Sequence, residues 1–329
     1  MIKIRKAISG LLLFVMAGAL TACGTKETSS SPDTKVSKIG VCQLVTHDAL
    51  DASYQGFVDG LKDAGYVEGE NITIDYQNAQ GDASNCNTIA TKLVNEDCDL
   101  ILAIATNAAQ SCANATKDIP ILVTAVTDPA EAGVVETNEV PGGNVSGTSD
   151  LTPVKKQMEL LVKLLPEAKK VAILYCSSET NSQIQADMAK TEAESLGLET
   201  QFATISSLNE VQQVVQSLVG KVDVIYTPTD NMIASGMDTV AMIANGNGVP
   251  IICGEEGMVE KGGLATYGIN YYNLGKQTAA QAVKILKGEA EPAAMPIEYL
   301  EDVTLKINEE VATELGISIP DDLKQEMNQ

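Results

Sequence analysis

Any chemistry this chain performs must work almost without histidine. It holds a single histidine, His47, which excludes HExxH and other multi-histidine metal sites and leaves one residue for a Ser-His-Asp triad. No GxSxG occurs, and the two Gly-Lys pairs, at Gly220 and Gly275, have Val215 and Asn270 where a phosphate-binding loop needs its first glycine. Cys42, Cys86, Cys98, Cys112, Cys176 and Cys253 form no CxxC pair, so they read as buried thiols rather than a zinc site or a disulfide framework. The expectation is a chain with no catalytic residues, no metal and no cofactor.

What the sequence offers instead is a set of small polar loops, each just after a stretch that reads as a strand. They are His47-Asp48, Ala105-Thr106-Asn107, Val126-Thr127-Asp128-Pro129, Ser177 to Ser182 and Thr227 to Asn231. Open α/β sheets bind ligands at the carboxyl ends of their strands. The candidate ligand-binding residues are therefore His47, Thr106, Asn107, Thr127, Asp128, Ser178, Asn181, Asp230 and Asn231. Ser, Thr, Asp and Asn are also the preferred helix N-caps, so Thr106, Ser182 and Thr229 have a capping alternative. Asp128 and Asp230 suit a cationic amine, and free main-chain amides after Thr106 and Ser178 suit a carboxylate. Acid at one end and amides at the other describe a zwitterion, such as an amino acid. With no Trp and three Phe, tyrosine must supply most of any aromatic stacking.

The elements that position these loops follow from hydrophobic periodicity. Apolar strands are expected at 39–45, 72–76, 100–104, 121–125 and 145–148, with helices over 52–64, 84–95, 108–115 and 153–165. A second series places strands at 170–175, 199–203, 222–226 and 249–253 and helices over 182–196, 208–219 and 232–245. A strand at 264–269, a helix over 274–286 and strands at 297–300 and 303–307 complete both sheets. The fold class is α/β: two Rossmann-like lobes with parallel sheets, joined by a hinge of several crossings. The expected division gives the first lobe residues 37–149 with about 267–290, and the second 150–266 with about 291–329.

The amino-terminal end reads as a leader. Lys3, Arg5 and Lys6 precede an apolar run from Ala7 to Leu20, too short for the roughly 20 residues of a membrane span. The run ends in Leu20-Thr21-Ala22-Cys23-Gly24, which resembles the bacterial lipobox, with Cys23 as the lipidated residue and 1–23 as the signal peptide. Residues 24–36, rich in Ser and Thr, read as a flexible tether. Export to the outer face of the cell membrane, held there by lipid, is the expectation. The net charge of −22 disfavours nucleic acid as a partner.

Several stretches together carry a resemblance. His47-Asp-Ala-Leu-Asp51, Ile74-Asp-Tyr-Gln-Asn-Ala-Gln-Gly81, Ala103-Ile-Ala-Thr-Asn107, Ala125-Val-Thr-Asp-Pro129, Pro141-Gly-Gly-Asn-Val-Ser-Gly147, Tyr226-Thr-Pro-Thr-Asp-Asn231 and Gly268-Ile-Asn-Tyr-Tyr272 resemble, in order, the substrate-binding lipoproteins of ABC transporters of the tryptophan/tyrosine uptake type. Two positions depart from that family's pattern: Asp48 and Asn107 stand where its members commonly carry proline. The resemblance implies a type I periplasmic-binding-protein fold, an aromatic amino acid as ligand, and an ABC permease and its ATPase as partners. It points to Thr106, Thr127, Asp128, Asp230 and Asn231 as pocket positions. A sugar or nucleoside in the same fold, or a ligand-sensing lipoprotein, is the alternative.

Overall fold

The computed structural model describes residues 36–327; the expected leader, Cys23 and all of the expected tether but Val36 lie outside them. The first lobe opens with β1 (Ser37–Gln43), α1 (Asp48–Asp63), β2 (Ile72–Asn78), α2 (Ala83–Asn95), β3 (Leu100–Ile104), α3 (Thr106–Ala115), β4 (Ile121–Val126) and β5 (Val145–Ser149). Strands such as β3, buried along their whole length, are apolar throughout because helices cover both faces of a parallel sheet.

The chain then passes to the second lobe. It contains α4 (Val154–Leu164), β6 (Lys170–Cys176), α5 (Thr180–Ser195), β7 (Glu199–Ile205), α6 (Val211–Leu218), β8 (Val224–Thr227), α7 (Asn231–Ser235), α8 (Met237–Gly246), β9 (Ile251–Cys253), α9 (Glu256–Glu260) and β10 (Ala265–Gly268). It returns in α10 (Tyr271–Leu286) and β11 (Glu298–Tyr299), then crosses again to β12 (Thr304–Ile307), α11 (Glu309–Glu314) and α12 (Asp321–Glu326). One sheet runs β11-β5-β4-β3-β1-β2, all parallel; the other runs β12-β10-β9-β8-β6-β7, with β12 alone antiparallel.

Three passes therefore join the lobes, at 150–153, 269–270 and 300–303. The third departs from the expected division. Residues 291–299 stay with the first lobe, because Glu298 and Tyr299 pair with Thr148 and Ser149 and Ser146 Oγ donates to the Met295 carbonyl at 2.8 Å. Helix boundaries also shift. The helix expected at 52 starts at Asp48, and the one expected at 108 starts at Thr106. Asp48 and Asp51 in the first turn of α1 suit the positive end of its dipole. The helix expected over 232–245 breaks at Gly236, which ends α7 and begins α8. Cys42, Cys86, Cys98, Cys112, Cys176 and Cys253 are all buried and unpaired.

Helix α10 is seated on α1 at very short range. A Cβ built on Gly56 would lie 1.9 Å from the Tyr272 carbonyl oxygen, and one on Gly275 would lie 1.9 Å from that of Ser53. Only glycine permits this approach, and it fixes where the first residue of α10, Tyr271, stands. Gly275→Ala is expected to lower stability by about 1–3 kcal/mol through overpacking, read as an earlier denaturant midpoint; an unchanged midpoint would show that the helices can separate freely.

Candidate ligand-binding site

In both sheets the strand order reverses beside the first strand. β1 lies between β2 and β3, and β6 lies between β7 and β8, so the connections leave in opposite directions and a crevice opens at the carboxyl ends. The segments at those ends are 44–47, 105–106, 177–179 and 228–230. They meet: His47 Nε2 lies 3.2 Å from Asn231 Oδ1 across the cleft. Thr127 Oγ1 contacts Thr229 Oγ1 at 3.4 Å and accepts from Gln185 Nε2 at 3.1 Å. At the rim, Lys261, just after α9, pairs with Asp48 of α1 at 3.2 Å.

Between the lobes these contacts enclose a small, tightly closed cavity lined from both sides. The first lobe and its hinge contribute His47, Leu50, Ala125, Asp150 and Tyr271; the second contributes Thr229, Asp230, Asn231, Ala234 and Glu255. A larger groove lies at the opposite end of the second lobe, beside Leu165, Asp223 and Ile317. Asp223 there accepts the Lys169 and Lys170 N–H groups at 2.8 Å, so its carboxylate is already held by main chain.

Three carboxyl groups line the cavity, and no lysine or arginine does. Asp230 accepts from the Ile233 N–H at 2.8 Å and the Cys176 N–H at 2.5 Å; Glu255 accepts from the Gly257 and Met258 N–H groups at 2.5 and 2.8 Å. Both thus cap short helices. Asp150 instead accepts two hydroxyls, from Tyr271 at 2.7 Å and Thr127 at 3.2 Å. Burial pushes Asp150 up to about 6 and Glu255 up to about 7. Behind Asn231, Glu179 is raised by burial and then by the Asp230 charge, and Asp230 is raised by burial. Burial lowers His47 to about 4, so its ring is neutral.

Two backbone features mark the same region. Ala105 and Ala125, at the ends of β3 and β4, have φ of 79° and 53°, conformations a side chain adopts at a cost of about 1–3 kcal/mol and which cluster at ligand sites. Ala105 precedes α3, whose first residue, Thr106, is buried with its Oγ1 unpartnered.

The residues expected at the site fall into three groups. His47, Asp230 and Asn231 line the cavity. Thr127 and Asn181 are buried beside it, Asn181 donating to the Thr229 carbonyl at 3.0 Å, while Thr106 and the half-buried Asn107 form the first turn of α3. Asp128 and Ser178 are drawn elsewhere. Asp128 Oδ1 accepts from the Ala130 and Glu131 N–H groups and from Asn138 Nδ2, closing its own loop; Ser178 is exposed, its hydroxyl against Cys176 Sγ. Missing from the expectation are Asp150, Glu255 and Tyr271. Each follows a strand, β5, β9 and β10, so the same loop rule extended to every strand would have found them.

A family model described as ABC transporter substrate binding protein matches residues 38–329. A tyrosine-binding protein of Clostridioides difficile (strain R20291) is 45% identical over 325 residues, covering 96% of this chain and 94% of its own. A structure from Streptococcus pneumoniae, in complex with L-Trp, is 42% identical with a TM-score of 0.86, covering 88% of this chain and 98% of its own. A ligand-free, open substrate binding protein from Clostridium difficile is 49% identical but has a TM-score of 0.67, covering 87% and 97%. The open relative is nearer in sequence and further in shape, so the lobes here stand closer to the ligand-bound arrangement.

An empty closed cavity is opposed by its own carboxylates. Below the ordinary carboxyl range both Asp150 and Glu255 are protonated whether the cleft is open or shut. As pH rises above that range the open form ionises first, and the penalty on closing grows, by about 1.4 kcal/mol for each unit of upward shift, until pH passes about 6 for Asp150 and about 7 for Glu255. Without ligand, the radius of gyration in solution scattering is expected to fall when pH drops from 8 to 5; a constant radius would contradict this.

Proposed function

This chain belongs to the family of ABC transporter substrate binding proteins, and from that premise we propose that it captures an aromatic amino acid outside the cell, between its two lobes, and delivers it to the permease and ATPase of an importer. The observation that carries the ligand class is a closed cavity lined by Asp150, Asp230 and Glu255 with no lysine or arginine and only the neutral His47 ring among them. A buried carboxylate without a counter-charge is costly and shifts toward its neutral acid, and an occupant that brings a cation favours the ionised form in the closed site. An α-ammonium does so.

Asp150 is the partner for that ammonium, because its oxygens face hydroxyls while those of Asp230 and Glu255 are held by main-chain N–H groups. The ligand carboxylate is expected at the first turn of α3, where Thr106, Asn107 and Ala108 present N–H groups at the positive end of the helix. Leu50 and the Tyr271 ring give the side chain an apolar wall with an aromatic face. The tyrosine-binding and L-Trp-bound relatives support the same ligand class. Closure follows because a ligand touching both lobes binds the shut form better than the open one.

Export and anchoring belong to the same proposal, with Cys23 lipidated and residues 24–36 as the leash. Cys23→Ser is expected to release the protein from the membrane fraction into the medium; retention on the membrane would move the anchor elsewhere.

The ligand is tested with residues 36–329, which hold both sheets and their cores, by thermal unfolding against amino acids, sugars and nucleosides. A ligand at a hundred times its Kd adds about 2.7 kcal/mol, so a raised midpoint with L-tyrosine, L-tryptophan or L-phenylalanine is expected. A rise with sugars or nucleosides alone would overturn the ligand class. Asp150→Asn is expected to weaken binding about 10- to 100-fold; unchanged affinity would remove Asp150 from the ammonium.

A further inference from the structure

Glu179 is buried but does not line the cavity; it stands one residue behind it. Its Oε1 accepts the Met232 N–H at 2.9 Å, and its Oε2 accepts both the main-chain N–H of Asn231, at 3.1 Å, and the Asn231 side-chain NH2, at 2.5 Å. Three N–H groups thus converge on the two Glu179 oxygens, and Asn231 stands with its NH2 toward Glu179 and its carbonyl oxygen toward the cleft, where Oδ1 lies 3.2 Å from His47 Nε2. That oxygen only accepts, so Nε2 of the neutral ring carries the proton.

The consequence falls on the other ring nitrogen. His47 Nδ1 is left as a bare acceptor, and it is buried without any partner in a residue 6% exposed that lines the cavity. A buried acceptor left unmatched is costly; a donor on the ligand relieves that cost. Leu50, three residues on and so on the same face of α1, lines the cavity too. This end of the cavity thus offers one apolar surface and one acceptor, the complement of an aromatic ring with a polar tip.

We infer that His47 Nδ1 reads a hydrogen-bond donor on the ligand side chain, the phenol O–H of tyrosine or the indole N–H of tryptophan, and that Glu179, acting through Asn231, is the positioning residue that holds His47 in the accepting tautomer. The inference rests on the aromatic amino-acid reading above and narrows it: a ring without a donor, phenylalanine, is disfavoured.

The test is calorimetry on residues 36–329 with L-tyrosine, L-tryptophan and L-phenylalanine, for the unaltered protein, His47→Gln and His47→Asn. A glutamine amide can reach Asn231 from the Nε2 position but offers nothing at Nδ1; an asparagine oxygen stands near Nδ1. The unaltered protein is expected to bind tyrosine or tryptophan at least about tenfold more tightly than phenylalanine. His47→Gln should abolish that preference, weakening tyrosine and tryptophan by at least about tenfold more than phenylalanine, and His47→Asn should restore part of it. Because the chain has one histidine, the nitrogen spectrum of the tagless complex reads its ring alone: a protonated Nε2 is expected, and mixed tautomers in Glu179→Gln. Equal loss of all three ligands in His47→Gln, no preference in the unaltered protein, or a protonated Nδ1 in the complex would each overturn the inference and leave the aromatic reading standing. Binding of none of the three ligands would overturn both.

Discussion

Carboxylates gathered in a shut cavity, with no lysine or arginine among them, set the terms for the rest of this molecule. Asp150, Asp230 and Glu255 line the space, Glu179 lies behind it, and burial raises all four. The fold tempers this in two ways. Asp230, Glu255 and Glu179 accept N–H groups at the starts of α7 and α9, where helix dipoles and unpaired donors favour negative charge. Asp150, held by two hydroxyls and its own main-chain N–H, sits in the first pass between lobes, so one of these buried charges stands at the hinge itself.

Geometry makes that charge useful. Each lobe is a sheet whose order reverses beside its first strand, and three passes of chain hold the two reversal points face to face. The groups that meet there come from short segments just after strands and from helix starts rather than from long loops. Their positions are set by the buried sheets and, for Tyr271, by the glycine contact of α10 with α1. Strain at Ala105 and Ala125 is tolerated in the same place. Rigid halves with a soft charge balance between them make a device whose shape is decided by what enters it.

Much of this was legible in the sequence because parallel sheets are periodic. Apolar runs gave the strands of both lobes, and the loop after each strand led to His47, Thr127, Asp230 and Asn231. What stayed hidden depends on partners distant along the chain. Asp128 and Asp230 look alike in sequence, each after a strand and before a turn; Asn138 and the following amides draw Asp128 into its own loop, while the Cys176 and Ile233 amides hold Asp230 at the cavity. Asp150 and Glu255 passed unnoticed because β5 and β9 are short and the loops behind them carry no run of small polar residues like those after the other strands. The third crossing was misplaced since a two-residue strand, β11, has too little pattern to show that it pairs with β5. The link from Glu179 through Asn231 to His47 joins residues up to 184 apart in sequence, and no local pattern reveals it.

The central claim is that the occupant of this cavity must supply the positive charge its walls lack. Calorimetry that compares L-tyrosine with 3-(4-hydroxyphenyl)propionate, the same molecule without its amino group, tests this most directly. Loss of the ammonium leaves the carboxylates uncompensated in a closed site, and the account predicts affinity at least about a hundredfold weaker for the desamino compound. Equal affinity for the two would contradict it.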